Sequence, residues 1–259
     1  MTFYIFGTGN TAWFLAARLV KSGHTCKGVY GRDIVRATEL ADAVGAPSLD
    51  NLSDIKDDAD ACILAITDHA IGEVAASFSF KHTVLIHTAG SVSRTVLEPF
   101  AENAGIMWPI YSLVRDNLPL HNNVPIAVTG NNAYTDRILQ QLASSVTDIS
   151  YTVSWEQRQW LHLCAVLCNN FTNHMMAVSE EICHSQHIPF SLLYPIISQT
   201  ADRVSQASPR VLQTGPAKRG DKITIEKHLQ LLQQNPDWQE LYKALTASID
   251  KMYNVNKEE

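Results

Sequence analysis

The sequence lacks any long apolar run, since no segment reaches the roughly 18 consecutive apolar residues that would suggest a membrane span. It also lacks a basic stretch ahead of its first apolar residues, and a glycine-rich turn soon interrupts that apolar run, so we expect no signal peptide. Basic residues are not in excess, because 20 Lys and Arg stand against 26 Asp and Glu, a formal net charge of −6. Nucleic acid and membranes are therefore not expected as partners.

Cysteine is scarce and odd in number, which argues against a disulfide framework. The five cysteines are Cys26, Cys62, Cys164, Cys168 and Cys183. Most lie in apolar segments and are typical of small, reduced side chains. The segments Cys164-x-x-x-Cys168 and Cys183-His184-x-x-His187 contain metal-ligand residue types, but neither has a second ligand pair at a usual spacing. We expect a cytoplasmic protein without a metal.

What the sequence does have is a glycine-spaced turn near its start, Gly7-Thr8-Gly9-Asn10-Thr11-Ala12. An apolar run precedes it and a helical pattern begins within it, which is the context that a dinucleotide-binding turn requires. Gly7 permits the tight turn, Gly9 lets the backbone approach phosphates, and Ala12 lets the helix pack closely on the sheet. The helix N-terminus then offers free N–H groups to a pyrophosphate. We predict that these six residues bind a dinucleotide; the alternative is a glycine-rich turn of another α/β domain.

The end of the second predicted strand indicates which dinucleotide binds. An NAD-binding domain is expected to have Asp or Glu there, whose carboxylate accepts hydrogen bonds from the ribose. This sequence has Tyr30 and Gly31 instead, followed by Arg32, whose guanidinium suits a phosphate. NADP is therefore the predicted cofactor and Arg32 its predicted phosphate ligand. For Arg36, a solvated helix face is as compatible with the sequence as a role in binding the cofactor. Asp33 leaves an alternative open, because a shifted turn could bring it to the ribose.

Apolar segments alternate with helical patterns over residues 1–153, and this alternation predicts an α/β fold. We expect a doubly wound parallel Rossmann sheet with extra strands at one edge. After the first strand, further strands are predicted at residues 26–30, 46–49, 61–66, 83–87, 105–108, 124–128 and 149–153. After the helix of the glycine turn, helices are predicted at residues 34–44, 67–77, about 91–103 and 134–144.

From residue 154 onward the pattern changes, because only helical periodicities remain. Helices are predicted at residues 154–183, 189–207, 223–233 and 238–253. The change predicts two domains, an NADP-binding domain of residues 1–153 and an all-α C-terminal domain of residues 154–259.

The ends of two predicted strands carry further candidate residues. Ile66-Thr67-Asp68 ends one strand and begins a helix, and Ala89-Gly90 follows the next strand. Because ligands gather at the carboxyl ends of parallel strands, these residues are predicted to bind the cofactor. His87 ends the same strand and is predicted to bind substrate near the nicotinamide; the alternative is a buried histidine satisfied by the backbone. This region contains no G-x-S-x-G motif, so a serine hydrolase is disfavoured.

A polar stripe is predicted on the first helix of the second half. His162, Ala165, Asn169 and Asn173 are separated by three, four and four residues, so α-helical spacing places them on one face. Apolar neighbours cover much of the rest of the helix. The stripe is therefore predicted to face a cleft or a partly buried interface, where it could hydrogen-bond a carbonyl, a carboxylate or the nicotinamide amide. Polar groups satisfied at a helix–helix or dimer contact would give the same pattern.

The polar, basic segment of residues 214–221 has two interpretations. Lys218 and Arg219 are predicted to bind an anionic group of the substrate, and Asp221 to cap the next helix while orienting Arg219. His228 follows close to two helical turns later and is included in the predicted substrate site. The alternative is a plain surface turn and helix start.

Taken together, these motifs resemble those of a group of proteins that join an NADP-type Rossmann domain to a helical C-terminal domain of unknown function. The wider superfamily includes 6-phosphogluconate dehydrogenase, β-hydroxyacid dehydrogenases, ketopantoate reductase and pyrroline-5-carboxylate reductase. The resemblance covers nearly the whole chain. Its most specific parts are residues 7–12, His87-Thr-Ala-Gly90, Arg158-x-x-x-His162-x-x-Ala165 with Asn169, and residues 214–221 with Thr224 and His228. It implies an NADP-dependent oxidoreductase and a homodimer formed through the helical domain.

One departure from the superfamily bears on the mechanism. β-Hydroxyacid dehydrogenases use a lysine on the first long helix of the second domain as acid/base, but this chain has no lysine between Lys81 and Lys218. The glycine- and serine-rich carboxylate loop of pyrroline-carboxylate reductases is also missing. His162 stands in that first helix, and an imidazole can exchange a proton near neutral pH.

The expected activity is hydride transfer between nicotinamide and a carbonyl or imine carbon of a small, anionic metabolite. His162 and Asn169 are the predicted catalytic residues, with Asn173 positioning the substrate. The alternative is a non-catalytic NADP(H)-binding sensor or interaction protein, which the missing lysine would favour.

Overall fold

The computed structural model describes residues 1–254. The chain divides into two compact units, Met1–Asn170 and Phe171–Glu259, and the last five residues of the second unit lie outside the described range. The predicted domain limits of 1–153 and 154–259 stay a prediction. No helix within residues 1–254 combines the length and the apolar character that crossing a membrane requires.

A single seven-stranded sheet forms the centre of the first unit, with the strand order β2-β1-β3-β4-β5-β6-β7. The strands are β1 (Thr2–Phe6), β2 (Thr25–Tyr30), β3 (Ala61–Leu64), β4 (Val84–His87), β5 (Ala104–Pro109), β6 (Ile126–Gly130) and β7 (Ser150–Thr152). All neighbours are parallel except β5 and β6, which run antiparallel. The sheet confirms the predicted α/β class, and the extra edge strands enter it in the reverse direction.

Helices cover both faces of this sheet. They are α1 (Asn10–Lys21), α2 (Ile34–Val44), α3 (Ile71–Ala75), α4 (Ala133–Val146) and α5 (Trp155–Ala165). Strand β1 shows why two layers form: Phe3 and Ile5 belong to one apolar cluster, whereas Tyr4 and Phe6 belong to the other. Because successive side chains point to opposite faces of a sheet, a strand that is apolar throughout needs cover on both sides.

Two predicted elements of the first unit are wrong. The helix expected after Gly90 is only a 3-10 turn at Arg94–Val96, and Pro99 explains why, since proline cannot continue a helix. The strand expected at residues 46–49 is a single bridge between Ser48 and Val29. Pro47 has no N–H to donate to a ladder, so the pairing stays local.

The helix predicted at residues 67–77 also differs, because a 3-10 turn at Asp68–Ala70 precedes α3, which ends at Ala75. The remaining strands and helices of the first unit match the predicted segments to within one or two residues at most ends.

All regular secondary structure in the described part of the second unit is helical. Its helices are α6 (Thr172–Ser185), α7 (Tyr194–Val204), α8 (Pro209–Leu212), α9 (Pro216–Arg219), α10 (Lys222–Leu231) and α11 (Pro236–Asn254). The single helix predicted at residues 154–183 is instead α5 and α6 with a π-helical segment, Val166–Phe171, between them. The basic segment predicted as a loop contains the one-turn helix α9, which starts at a proline and is followed by Gly220 in the left-handed conformation.

Candidate functional site

The glycine turn joins β1 to α1 at the carboxyl edge of the parallel strands. Gly7 has a φ of +121°, and a Cβ there would lie 2.1 Å from the carbonyl oxygen of Ala65, so only glycine fits. Gly9 is the N-cap of α1 without a side-chain cap, and beyond its chain neighbours no atom of residues 1–254 lies within 4 Å of its Cβ position. Ala12, in the first turn of α1, is fully buried. The turn thus leaves open space beside uncapped N–H groups, which fits the pyrophosphate of a dinucleotide.

Asn10, a predicted cofactor ligand, uses its side chain inside the protein. Its Nδ2 donates to the carbonyl of Leu113 at 2.8 Å, and its Oδ1 accepts from the backbone N–H of Arg115 at 3.1 Å. The Arg115 guanidinium lies 4.0 Å above the Trp13 ring and forms an ion pair with Glu39 at 2.9 Å. The side chain of Asn10 therefore holds the β5–β6 loop against the start of α1, and its predicted cofactor contact is left to its backbone.

The end of β2 carries the residues predicted to distinguish NADP from NAD. Asp33 is the N-cap of α2, because its Oδ1 accepts from the N–H groups of Val35 and Arg36 at 3.1 and 3.2 Å. It also lies 3.5 Å from the Arg36 guanidinium. Arg32 is exposed, and no hydrogen bond or ion pair holds its guanidinium among residues 1–254. The Asp33 carboxylate is thus engaged by its own helix, whereas Arg32 is available for a phosphate.

The segments after β3 and β4 meet beside the glycine turn. The Ser91 hydroxyl donates a short hydrogen bond to the carboxylate of Asp68, which joins the two segments. Ile66 lies next to Gly7, since its Cγ2 is 3.2 Å from the Cβ position of that glycine. Thr67 is exposed at the start of the 3-10 turn. The structure therefore brings the predicted cofactor residues of three strand ends to one edge of the sheet.

His87, the last residue of β4, has no exposed surface. Its Nδ1 accepts from the backbone N–H of Ala89 at 3.2 Å, while its Nε2 makes no hydrogen bond of normal geometry within residues 1–254. Burial, and then the charge of Arg158, lowers the pKa of His87 from 6.5 to about 3, and the Ser93 backbone opposes this shift only in part. The ring is neutral and backbone-bound, as in the second of the two sequence interpretations; its contact with substrate stays a prediction.

Arg158 contacts the segment after β4, and the sequence analysis assigned it no role. It is 1% exposed, and its guanidinium donates to the carbonyls of Ala89 at 3.2 Å and Val92 at 2.7 Å. Burial, followed by the charge of Arg94, lowers the pKa of Arg158 to about 10, so the group stays charged at neutral pH. It holds the segment after β4 in place. The signal in the sequence was its position one helical turn before His162.

A capping box fixes the start of α5, the helix that carries Arg158 and His162. The Ser154 hydroxyl accepts from the N–H of Gln157 at 3.2 Å, and the Gln157 side chain accepts from the N–H of Ser154 at 2.8 Å. Arg158 also stacks over Trp155, with 4.8 Å from the guanidinium carbon to the ring centre. The first turn of α5 is therefore held both by its cap and by the buried arginine.

His162 packs directly on the segment after β4. A Cβ on Gly90 would lie 2.8 Å from the Cδ2 of His162 and 2.7 Å from the Trp108 ring. The His162 and Trp108 rings are 5.7 Å apart and tilted by 59°. Among residues 1–254, no hydrogen bond engages either ring nitrogen of His162. The structure thus brings the predicted acid/base and the predicted cofactor residue Gly90 into contact.

The predicted stripe beyond His162 rested on uninterrupted α-helical spacing, and this assumption is wrong. Asn169 lies in the π-helical segment, where hydrogen bonds run from residue i to i+5 and the rotation per residue differs. Asn169 is exposed within the first unit, and Asn173 is exposed on α6 of the second unit. Their roles at the substrate stay predictions.

The predicted anion site lies in the second unit. The Lys218 ammonium donates to the carbonyl of Gln213 at 2.7 Å, whereas Arg219 is exposed. Asp221 caps α10 as predicted, since its carboxylate accepts from the N–H and the hydroxyl of Thr224 at 3.1 and 2.7 Å. These bonds, that of the hydroxyl first, lower the pKa of Asp221. Binding of an anionic substrate here stays a prediction.

The other predicted residue of this unit is His228, whose Nδ1 lies 2.8 Å from the hydroxyl of Tyr242. Its contact with substrate stays a prediction. Within residues 1–254, no group of three or more His, Cys, Asp or Glu side chains could hold a metal ion.

Two family models match the chain. Residues 2–90 match the model described as NADP oxidoreductase, coenzyme F420-dependent, and residues 124–249 match a domain of unknown function (DUF2520). A search of curated protein sequences gave no significant match.

Several solved structures are similar over nearly the whole chain. The 1-pyrroline-5-carboxylate reductase of Streptococcus pyogenes has 17% identity and a TM-score of 0.65, with 97% of this chain and 98% of that chain covered. The reductive aminase of Aspergillus terreus, in complex with NADPH and ethyl-5-oxohexanoate, has 15% identity and a TM-score of 0.73, with 96% and 92% covered. At these identities the likeness shows the fold alone.

A stronger relationship comes from Bacteroides fragilis, in a protein described as a putative NADP oxidoreductase. It has 32% identity and a TM-score of 0.89, and the alignment covers 96% of this chain and 98% of that one. The protein therefore belongs to the same family as this bacterial protein and is an NADP-dependent oxidoreductase, with an N-terminal Rossmann domain and a helical C-terminal region.

Proposed function

We propose that this oxidoreductase reduces a carbonyl or imine carbon of a small, anionic metabolite. The observation that carries the proposal is the contact of His162 with Gly90, at the carboxyl end of β4. Ligands of parallel α/β sheets gather at this edge. Two proteins of the same fold are named as a pyrroline-5-carboxylate reductase and a reductive aminase, which supports a C=N or C=O substrate.

The cofactor residues follow from the same edge of the sheet. We propose that the turn of residues 7–12 holds the pyrophosphate, that Arg32 holds the additional phosphate of NADP, and that the segments at Ile66–Asp68 and Ala89–Gly90 hold the nicotinamide half. The N–H groups at the start of α1, which no side chain caps, and the guanidinium of Arg32, which has no partner within residues 1–254, suit two anionic groups. When bound, NADPH supplies the hydride that reduces the substrate carbon.

His162 is the proposed acid. Its ring donates a proton to the carbonyl oxygen or imine nitrogen of the substrate, and water later returns a proton to the neutral ring. His87, which is also in this region, is unsuited to the task because it is buried and held neutral. Arg158 positions the acid indirectly, since it fixes the segment on which His162 packs. Asn169 and Asn173 are proposed to hold the substrate, and Lys218 and Arg219 to bind its anionic end. Asp221 is proposed to orient Arg219, and His228 to contact the substrate.

We also propose that the second unit forms a homodimer. Among its described residues, Val178 and Ala217 are the buried apolar side chains. Many large apolar side chains of the unit are exposed, among them Phe171, Leu192, Tyr194, Ile196, Val211 and Leu231. Exposed apolar surface of this extent marks an interface, and a second copy is the commonest partner.

The proposed reaction is tested by substitution of the acid. Carboxylate-bearing cyclic imines and oxo acids are screened by the loss of NADPH absorbance. With a substrate found in this way, His162→Ala is expected to lower turnover by about 10²–10⁴-fold and to leave the NADPH affinity nearly unchanged.

His82→Ala is the matched control, since this exposed histidine precedes β4 at the opposite edge of the sheet. It is expected to keep the turnover of the unmodified protein. Equal turnover of His162→Ala and the unmodified protein would rule out His162 as the acid. Failure of every carbonyl and imine tested, with NADPH bound normally, would favour a non-catalytic NADPH-binding protein.

A further inference from the structure

Gly31, the residue that follows β2, lies close to the glycine turn. A Cβ on Gly31 would lie 2.6 Å from the Cγ2 methyl of Thr8, closer than real Cβ atoms approach. Its other neighbours, Ala37 Cβ at 3.5 Å and the Asp33 carbonyl at 3.7 Å, are at ordinary contact distances. The backbone of Gly31 is not in the left-handed region. Outside its two chain neighbours, the methyl of Thr8 is therefore the one severe obstacle to a Cβ at position 31 among the described residues.

The preceding residue cannot take over the function of position 31. The Tyr30 ring packs against Phe6, with 4.8 Å between the ring centres, and belongs to the cluster on that face of the sheet. Because side chains alternate along a strand, Tyr30 points away from the direction that a side chain at position 31 would take. Position 31 is thus the place from which a carboxylate would reach toward the glycine turn.

We infer that Thr8 is a specificity-determining residue, whose methyl group excludes an acidic side chain at position 31 and so excludes the NAD type of ribose recognition. In NAD-binding Rossmann domains, a carboxylate near the end of the second strand accepts hydrogen bonds from the ribose. Here Thr8 fills the space that such a side chain needs. The inference rests on the NADP assignment and adds a steric element to the charge of Arg32.

This steric element has a specific consequence for redesign. An aspartate at position 31 alone places a negative charge near Arg32 and the proposed phosphate site, so NADPH affinity falls. Its carboxylate cannot settle in the orientation that an NAD ribose needs, because the Thr8 methyl is in the way. Serine at position 8 removes this methyl and keeps the hydroxyl, and only then is NADH affinity gained.

The first test is cofactor binding by the purified full-length protein, measured by calorimetric titration with NADPH and NADH. Gly31→Asp is expected to weaken NADPH at least about tenfold without improving NADH, and Thr8→Ser with Gly31→Asp to bind NADH about tenfold more tightly than the unmodified protein. Thr38→Ser with Gly31→Asp is the control, since Thr38 is an exposed residue of α2 that loses the same methyl. This pair is expected to behave like Gly31→Asp alone.

The second test does not involve the cofactor. Gly31→Ala is expected to lower the melting temperature of the ligand-free protein, Thr8→Ser to restore most of the loss, and Thr38→Ser to restore none. The inference is overturned if Gly31→Asp alone gains NADH affinity, if the double variant folds and gains none, or if Thr8→Ser does not restore the alanine variant. If neither aspartate variant folds, the alanine series decides. Equal affinities of the unmodified protein for both cofactors would refute the NADP assignment instead. They would not affect the steric contact between Thr8 and a side chain at position 31.

Discussion

The buried ring of His87 links the stability of the first unit to pH, and one substitution isolates this effect. In the native state its pKa is about 3, mainly because burial disfavours the charged ring, whereas the ordinary value is 6.5. Below pH 6.5 the unfolded chain therefore binds a proton that the folded protein does not accept until about pH 3. The contribution of His87 to stability is present above pH 6.5 and is lost as the pH falls toward 3.

The size of this contribution follows from the two pKa values. The free energy of unfolding changes by up to about 1.4 kcal/mol for each pH unit between them. Between pH 7.5 and pH 5, the unmodified protein is therefore expected to lose about 2 kcal/mol through His87. The glutamine of His87→Gln cannot titrate. This variant is expected to be less stable at neutral pH, but to lose about 2 kcal/mol less than the unmodified protein between pH 7.5 and pH 5.

Urea unfolding at several pH values between 7.5 and 5, followed by circular dichroism, measures the slope. His24 also has a pKa lowered by burial, but it is present in both proteins and its contribution cancels. His82→Gln, at an exposed position, is the control and is expected to keep the slope of the unmodified protein. The same slope for His87→Gln and the unmodified protein would refute the assignment of a neutral, buried His87.

Arg32→Ala is expected to remove most of a ten- to hundredfold preference for NADPH over NADH, which fluorescence titration measures; an unchanged preference would contradict the role of Arg32. Gly90→Ala places a methyl group against Trp108 and His162, so it is expected to reduce turnover more than NADPH affinity, and unaltered kinetics would refute that packing. Light scattering is expected to find a dimer, and Ile196→Asp, which puts a charge on an exposed apolar side chain, to shift it toward monomer. A monomeric unmodified protein would exclude the proposed dimer.

The local features of the fold could be predicted because they depend on nearby residues. Helix α2 occupies the predicted residues 34–44. Asp33 is its N-cap, and Gly45 ends it in the left-handed conformation. The apolar segments at β3 and β4 are buried on both faces, as continuous apolar runs predict. The prediction of a helix after Gly90 is wrong because Pro99 cannot continue a helix. In addition, the sequence did not show that Arg158, on a distant helix, holds that segment.

The amino-acid sequence by itself determined the Rossmann turn, its preference for NADP and the change to helices after residue 153, because each depends on short-range patterns of glycine, charge and apolar spacing. Only the tertiary structure decided which side chains meet across the chain. It buried Arg158 against carbonyls more than sixty residues away, as the sequence separations of 69 and 66 show. It also placed His162 on Gly90 and Thr8 against Gly31. Such contacts arise when separate elements pack on the same edge of a sheet, and spacing along one element carries no information about them.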